Sequence, residues 1–194
     1  HGLFSSAHVN WIKFGHAQRL ADAGFEAIMP DLRAHGQSDA PHDRAAYPED
    51  VLVKDALAKG ARLVAGGTIG GMGLEGLSGW ARRVAFFIDA IDRFDEIQRG
   101  DPAFLAKSFM KTMKVDRAAA RLLLGSVDDT APDALCAVTM PTLVVCGAQD
   151  QDNGSAPALA QALPDGAFVE VPGTHMSSVT EARLGEAIVS FLAG

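Results

Sequence analysis

Apolar positions along the chain follow two rhythms. One is the helical spacing of three and four; the other is a short continuous run closed by Pro, Gly or Asp. Phe14, Ala17, Leu20 and Ala21 share one helical face, with Asn10 as cap and Gly24 as stop. Residues 25–29 then form a short apolar run ended by Pro30 and Asp31, the pattern of a buried strand. Tyr47-Pro48-Glu49-Asp50 opens a helix over 48–59, with proline near its start and acids in its first turn. Gly60 closes that helix, and 61–65 reads as a second strand.

From about Gly73 to Ser126 the strand signal disappears. Helical patterns cover 80–94, 102–113 and 116–124. Alternation then resumes with a strand at 142–146, a capped helix at 155–163 and a strand at 167–171. A last helix carries Leu184, Ile188, Phe191 and Leu192 on one face. Such alternation predicts an α/β fold, a mostly parallel sheet with helices on both faces, and a helical insertion over one end. The expected divisions are an N-terminal core part at 1–72, a helical cap at 73–126 and a C-terminal core part at 127–194.

Composition narrows the class of partner. The 194 residues are 48% hydrophobic and 21% charged, which suits one globular domain with a full core. A net charge of −7 argues against nucleic acid or an anionic membrane, since either needs a basic face. No apolar run approaches the ~20 residues that span a bilayer. Cys136 and Cys146 form neither a disulfide framework nor a metal-ligand spacing. Cys146 ends an apolar run and reads as a small buried hydrophobe. The expected partners are a small, largely apolar substrate and, for assembly, a second copy in a homodimer. The expected location is the cytoplasm. A start at His1 without methionine leaves an earlier signal peptide open and suggests a fragment of something longer.

Ligands of parallel sheets gather beyond the carboxyl ends of the strands. That rule selects His1-Gly2-Leu3-Phe4, the string Asp31-Leu32-Arg33-Ala34-His35-Gly36-Gln37-Ser38, Gly147-Ala148-Gln149-Asp150 and Pro172-Gly173-Thr174-His175-Met176. Asp150 and His175 at neighbouring strand ends form a plausible acid–base pair, the carboxylate fixing the imidazole tautomer.

Taken in this order, the four stretches resemble the α/β-hydrolase superfamily over nearly the whole chain. The resemblance implies Asp150 as triad acid, His175 as general base, and backbone N–H groups of Leu3 or Phe4 as oxyanion donors. It implies a cap formed by the helical block, hydrolysis of an ester or similar acyl substrate, and no metal or organic cofactor. Asp31 to Ser38 supports the fold instead of performing chemistry.

One part of the family pattern is absent, the Gly-x-Ser-x-Gly turn that carries the nucleophile. Thr68, in Gly66-Gly67-Thr68-Ile69-Gly70, has the flanking glycines, but a β-branched residue fits the strained elbow poorly. Glycines 70, 71 and 73 also make a poor helix start. Ser78 reads as a helix cap. The preferred reading is that a βα unit of ~30 residues is missing between 59 and 61, so that Gly66 to Gly76 is the loop into the cap. Two other assignments stay open: a non-catalytic ligand-binding member, and an epoxide or haloalkane hydrolase with an Asp nucleophile. Gly71-Met72-Gly73-Leu74-Glu75-Gly76 spells a dinucleotide fingerprint without the strand–helix context it requires. Asp150-Gln151-Asp152-Asn153-Gly154 resembles a calcium loop, but its glycine comes one position early and Gln161 stands where the bidentate Glu belongs.

Overall fold

The computed structural model describes residues 1–58 and 67–194. The expected strand at 61–65 and its junction with the preceding helix lie outside the described residues. The chain divides into two compact units. The first comprises His1–His8, Met29–Ala61 and Trp80–Asp128. The second comprises Val9–Ile28, Arg62–Gly79 and Asp129–Gly194.

The second unit holds a three-stranded parallel sheet of β1 (Gly67–Gly70), β2 (Thr142–Gly147) and β3 (Gly166–Val171), in that spatial order. β2 pairs in register with both neighbours, Thr142 lying opposite Gly67 on one side and Gly166 on the other. All six β2 residues are buried, as a central strand covered on both faces should be. Val144 and Cys146 pack under α6 (Ala156–Ala162) with Leu159 and Leu163. Leu143 and Val145 pack under α7 (Ala182–Ala193) with Leu184, Ala187 and Phe191. α1 (His16–Asp22) lies against α7, and the buried His16 donates from Nε2 to the Val179 carbonyl at 2.6 Å. Ser155 caps α6 by accepting from the Ala158 N–H, as its position predicts.

The first unit contains α2 (Val51–Ala58), α3 (Trp80–Asp92), α4 (Phe104–Thr112) and α5 (Arg117–Leu124). Helices α3 to α5 enclose Ile91, Ile97, Met110, Ala120 and Leu124, with Phe4 set edge-on to Phe87 at 5.1 Å. Asp116 caps α5 through the Ala119 N–H at 3.0 Å. No described helix is long and apolar enough to cross a membrane.

Three expected elements differ, the first being the loop expected over Gly66 to Gly76, of which Gly67–Gly70 is the strand β1. Residues 25–29 are not a strand, and Ile28 is 82% exposed. The run is apolar enough for a strand, but among the described residues no neighbour pairs with it, and apolarity alone does not supply one. The helix foreseen from Asn10 begins only at His16, after a π-type turn at His8–Ile12, because Gly15 takes φ 78° and interrupts it.

In the first unit the Asp31–Ser38 string is a scaffold, as the resemblance implies. Asp31 Oδ1 accepts the Ala7 N–H at 2.7 Å, Oδ2 accepts the Gln37 N–H at 2.9 Å, and its carbonyl accepts from Ser38 Oγ at 2.6 Å. His35 is 5% exposed; its Nδ1–H donates to the Arg33 carbonyl at 2.8 Å, and its Nε2 accepts the Phe4 N–H at 2.9 Å. That arrangement holds the ring neutral. Burial pushes its pKa below the ordinary 6.5, outweighing the opposite pull of the Arg33 carbonyl and Asp31. Between the lowered folded value and 6.5 the unfolded chain binds more protons, so this residue costs stability as pH falls through that window. The midpoint of thermal unfolding is expected to fall less steeply in His35→Gln than in the parent between about pH 7.5 and about pH 5. Equal slopes in a melting series would refute the assignment.

Candidate active site

β2 and β3 run parallel and in register, so the loops that follow them leave the sheet side by side. Gly147 lets those loops touch, since a Cβ on it would overlap the Gly173 carbonyl. The Ala148 N–H donates to the Val171 carbonyl at 2.8 Å, and the Gln149 N–H to the Gly173 carbonyl at 2.9 Å. Three residues past the end of β2 the chain presents Asp150, and four past the end of β3 it presents His175. Thr174 and Ser177 brace the turn between them: Ser177 Oγ accepts the Thr174 N–H at 2.8 Å, and Thr174 Oγ1 accepts the Ser177 N–H at 3.3 Å.

Asp150 Oδ2 lies 3.0 Å from His175 Nδ1. The Asp150 side chain is 1% exposed and that of His175 is 37% exposed, so the carboxylate is desolvated while the ring faces solvent. Asp150 Oδ1 accepts the Asp152 N–H at 3.1 Å, which fixes the carboxylate plane. An ionised carboxylate at Nδ1 selects the tautomer with the proton there and leaves Nε2 as a free lone pair, the geometry of a general base. Beside this pair, burial first and the Asp150 charge second push the Cys146 thiol up to about 11. Cys146 is a protonated core residue, not a nucleophile.

Sequence reasoning missed two residues at the pair. Gly71 follows β1 with φ 63°, and a Cβ there would lie 3.1 Å from His175 Cε1 and 3.2 Å from its Nδ1. Gly71 is therefore the floor under the imidazole, a place where only a glycine leaves the ring undisturbed. Asn153, buried, donates from Nδ2 to the Gly71 carbonyl at 2.5 Å, and the same nitrogen lies 3.4 Å from His175 Nδ1. Its neighbours continue the seam: the Gly73 N–H donates to the Asn153 carbonyl, and Glu75 Oε2 accepts the Ser155 N–H at 2.7 Å. The glycine run and the Asx-rich loop were both visible signals, but each was spelled like an unrelated motif.

Thr68 is placed mid-strand, paired with Leu143 in β1, so its backbone is extended and does not form a strand-to-helix elbow. The Gly71–Gly76 stretch leads into a single 3-10 turn at Leu74–Gly76, not a helix that could cradle a pyrophosphate. Asp150, Asp152 and His175 bring donor atoms within 4.8 Å of one another. A cation there would displace the bond between Asp150 and Nδ1, so the set reads as an acid–base pair with a neighbouring loop acid. Leu3 and Phe4, the expected oxyanion donors, lie in the first unit. The Phe4 N–H donates to His35 Nε2 at 2.9 Å.

A model of the alpha/beta hydrolase fold matches residues 1–63. No curated protein sequence matches the chain. Solved structures resemble it along its length. A bromoperoxidase from Bacillus anthracis is 18% identical with a TM-score of 0.67, covering 100% of this chain and 90% of that one. An esterase from Exiguobacterium antarcticum is 16% identical with a TM-score of 0.67, at 100% and 90% coverage. An enol-lactonase from Burkholderia xenovorans is 18% identical with a TM-score of 0.63, at 100% and 89% coverage. At these identities the likeness is one of fold, and it agrees with the parallel sheet and the placement of its loops. The chain is thus an α/β-hydrolase-fold protein.

Proposed function

We propose that this protein is an acyl hydrolase acting on an ester or a similar small substrate, with His175 as general base and Asp150 as the acid that orients it. The observation that carries this reading is the 3.0 Å contact between a buried carboxylate and a half-exposed imidazole at consecutive strand ends. Nε2 takes the proton of the nucleophile, returns it to the leaving group, and then activates water for deacylation. Asp150 stabilises the imidazolium formed in each step. The Leu3 N–H is the proposed oxyanion donor. The nucleophile is proposed to be a serine outside the 194 residues of the sequence, in keeping with the missing Gly-x-Ser-x-Gly turn. Helices α3 to α5 are proposed as the cap. A largely apolar substrate is proposed, in keeping with the apolar composition of this helical block.

A fluorophosphonate probe followed by mass spectrometry tests the assignment and locates the nucleophile. Covalent labelling that disappears in His175→Ala supports the enzyme. A folded protein that takes no label favours the second reading, a ligand-binding member of the fold, and hydrolysis surviving in His175→Ala would refute the base. Asp150→Asn is expected to lower kcat by roughly 10⁴, the scale seen when a triad acid loses its charge and the histidine its tautomer. Gly71→Ala is expected to cost ~1 kcal/mol of stability from its left-handed backbone. It should also cost up to ~100-fold in kcat from displacing the ring. Unchanged kcat with a lowered melting point would mean that Gly71 serves the fold alone.

A further inference from the structure

Among the described residues β3 pairs with β2 alone. Among the described residues its other edge is open, and its exposure is high for a strand of an α/β core: Gly166, Ala167, Val169 and Glu170 are all exposed. Natural edges of this kind carry a lysine, a proline, a bulge or a cover that prevents association. β3 has one exposed charge, Glu170, but no lysine or proline, and it pairs with β2 through six consecutive registered residues without a bulge.

The direction of the free peptide groups follows from the bonds already made. The carbonyls of Asp165 and Val171 accept from Thr142 and Ala148, so the odd-numbered residues of β3 turn towards β2. By strand alternation the N–H and C=O groups of Gly166, Phe168 and Glu170 point to the open side.

We propose that this edge pairs antiparallel with β3 of a second copy, about a two-fold axis through Phe168, joining two sheets into one of six strands. The sequence is complementary to itself in that register. Gly166, Phe168 and Glu170 meet Glu170, Phe168 and Gly166 of the second copy as hydrogen-bonded pairs. The two phenylalanines form a cross-strand aromatic pair, and each Glu170 faces a glycine, so no like charges oppose one another. On the other face Val169 meets Ala167 of the second copy twice, in the closer non-hydrogen-bonded positions. Val169 is 36% exposed and lines a groove of about 390 Å³ between β3 and α7, together with Ala187, Phe191, Arg183 and Glu186. One patch serves both copies, as a closed two-fold interface requires.

Sedimentation analysis of the chain across micromolar concentrations tests this, with circular dichroism to confirm folding. The parent is expected to be a dimer, and Val169→Lys, which puts a charge into both symmetric apolar pairs, is expected to be a folded monomer. In a Cys136→Ser background, Ala167→Cys with Val169→Cys is expected to give a covalent dimer under mild oxidation. A parent that stays monomeric, a dimer indifferent to Val169→Lys, or cysteines that fail to cross-link would each overturn the proposal. None of these readouts depends on catalysis, so they stand apart from the test of hydrolysis.

Discussion

β2 runs between two parallel neighbours with a helix over each face, and every one of its six residues is buried. Register follows from that burial, because a slip of one residue would exchange the layers under α6 and α7. Register in turn decides where the loops leave the sheet. Asp150 meets His175 because Gly147 stands opposite Val171 and the chain lengths beyond them are fixed. The contact between Asp150 and His175 is therefore set by the packing of Val144 and Cys146 on one face and Leu143 and Val145 on the other.

Much of this was legible in the residues. Helix ends announced themselves through Ser155, Asp116 and Gly24, and the central strand through an uninterrupted apolar run. The adjacency of Asp150 and His175 followed from the rule that gathers ligands at strand ends. The apolar run at 25–29 misled, because burial can be read from composition whereas a pairing partner cannot. The bond at Phe4 was hidden for a related reason: the turn was readable, but the histidine that accepts its N–H comes 31 residues later.

The glycine run shows a different limit. Its spelling suggested a catalytic elbow or a phosphate cradle, and the structure gives it neither role. Thr68 lies within a strand, and Gly71 gives way to an imidazole from a loop a hundred residues away. Local sequence shows that a position lacks a side chain. It does not show which neighbour needs the space.

The unequal lengths of the strands carry a consequence for motion. β1 has four paired residues, whereas β3 has six. The floor beneath His175 is joined to the sheet through the shorter ladder, with the Gly71 N–H to the Val145 carbonyl as its last rung at 2.9 Å. Local opening follows the least-bonded elements first. Backbone amides of β1 and of the seam to Asn153 should thus exchange with solvent before those of β2, and the imidazole should lose its floor while the rest of the sheet stays folded.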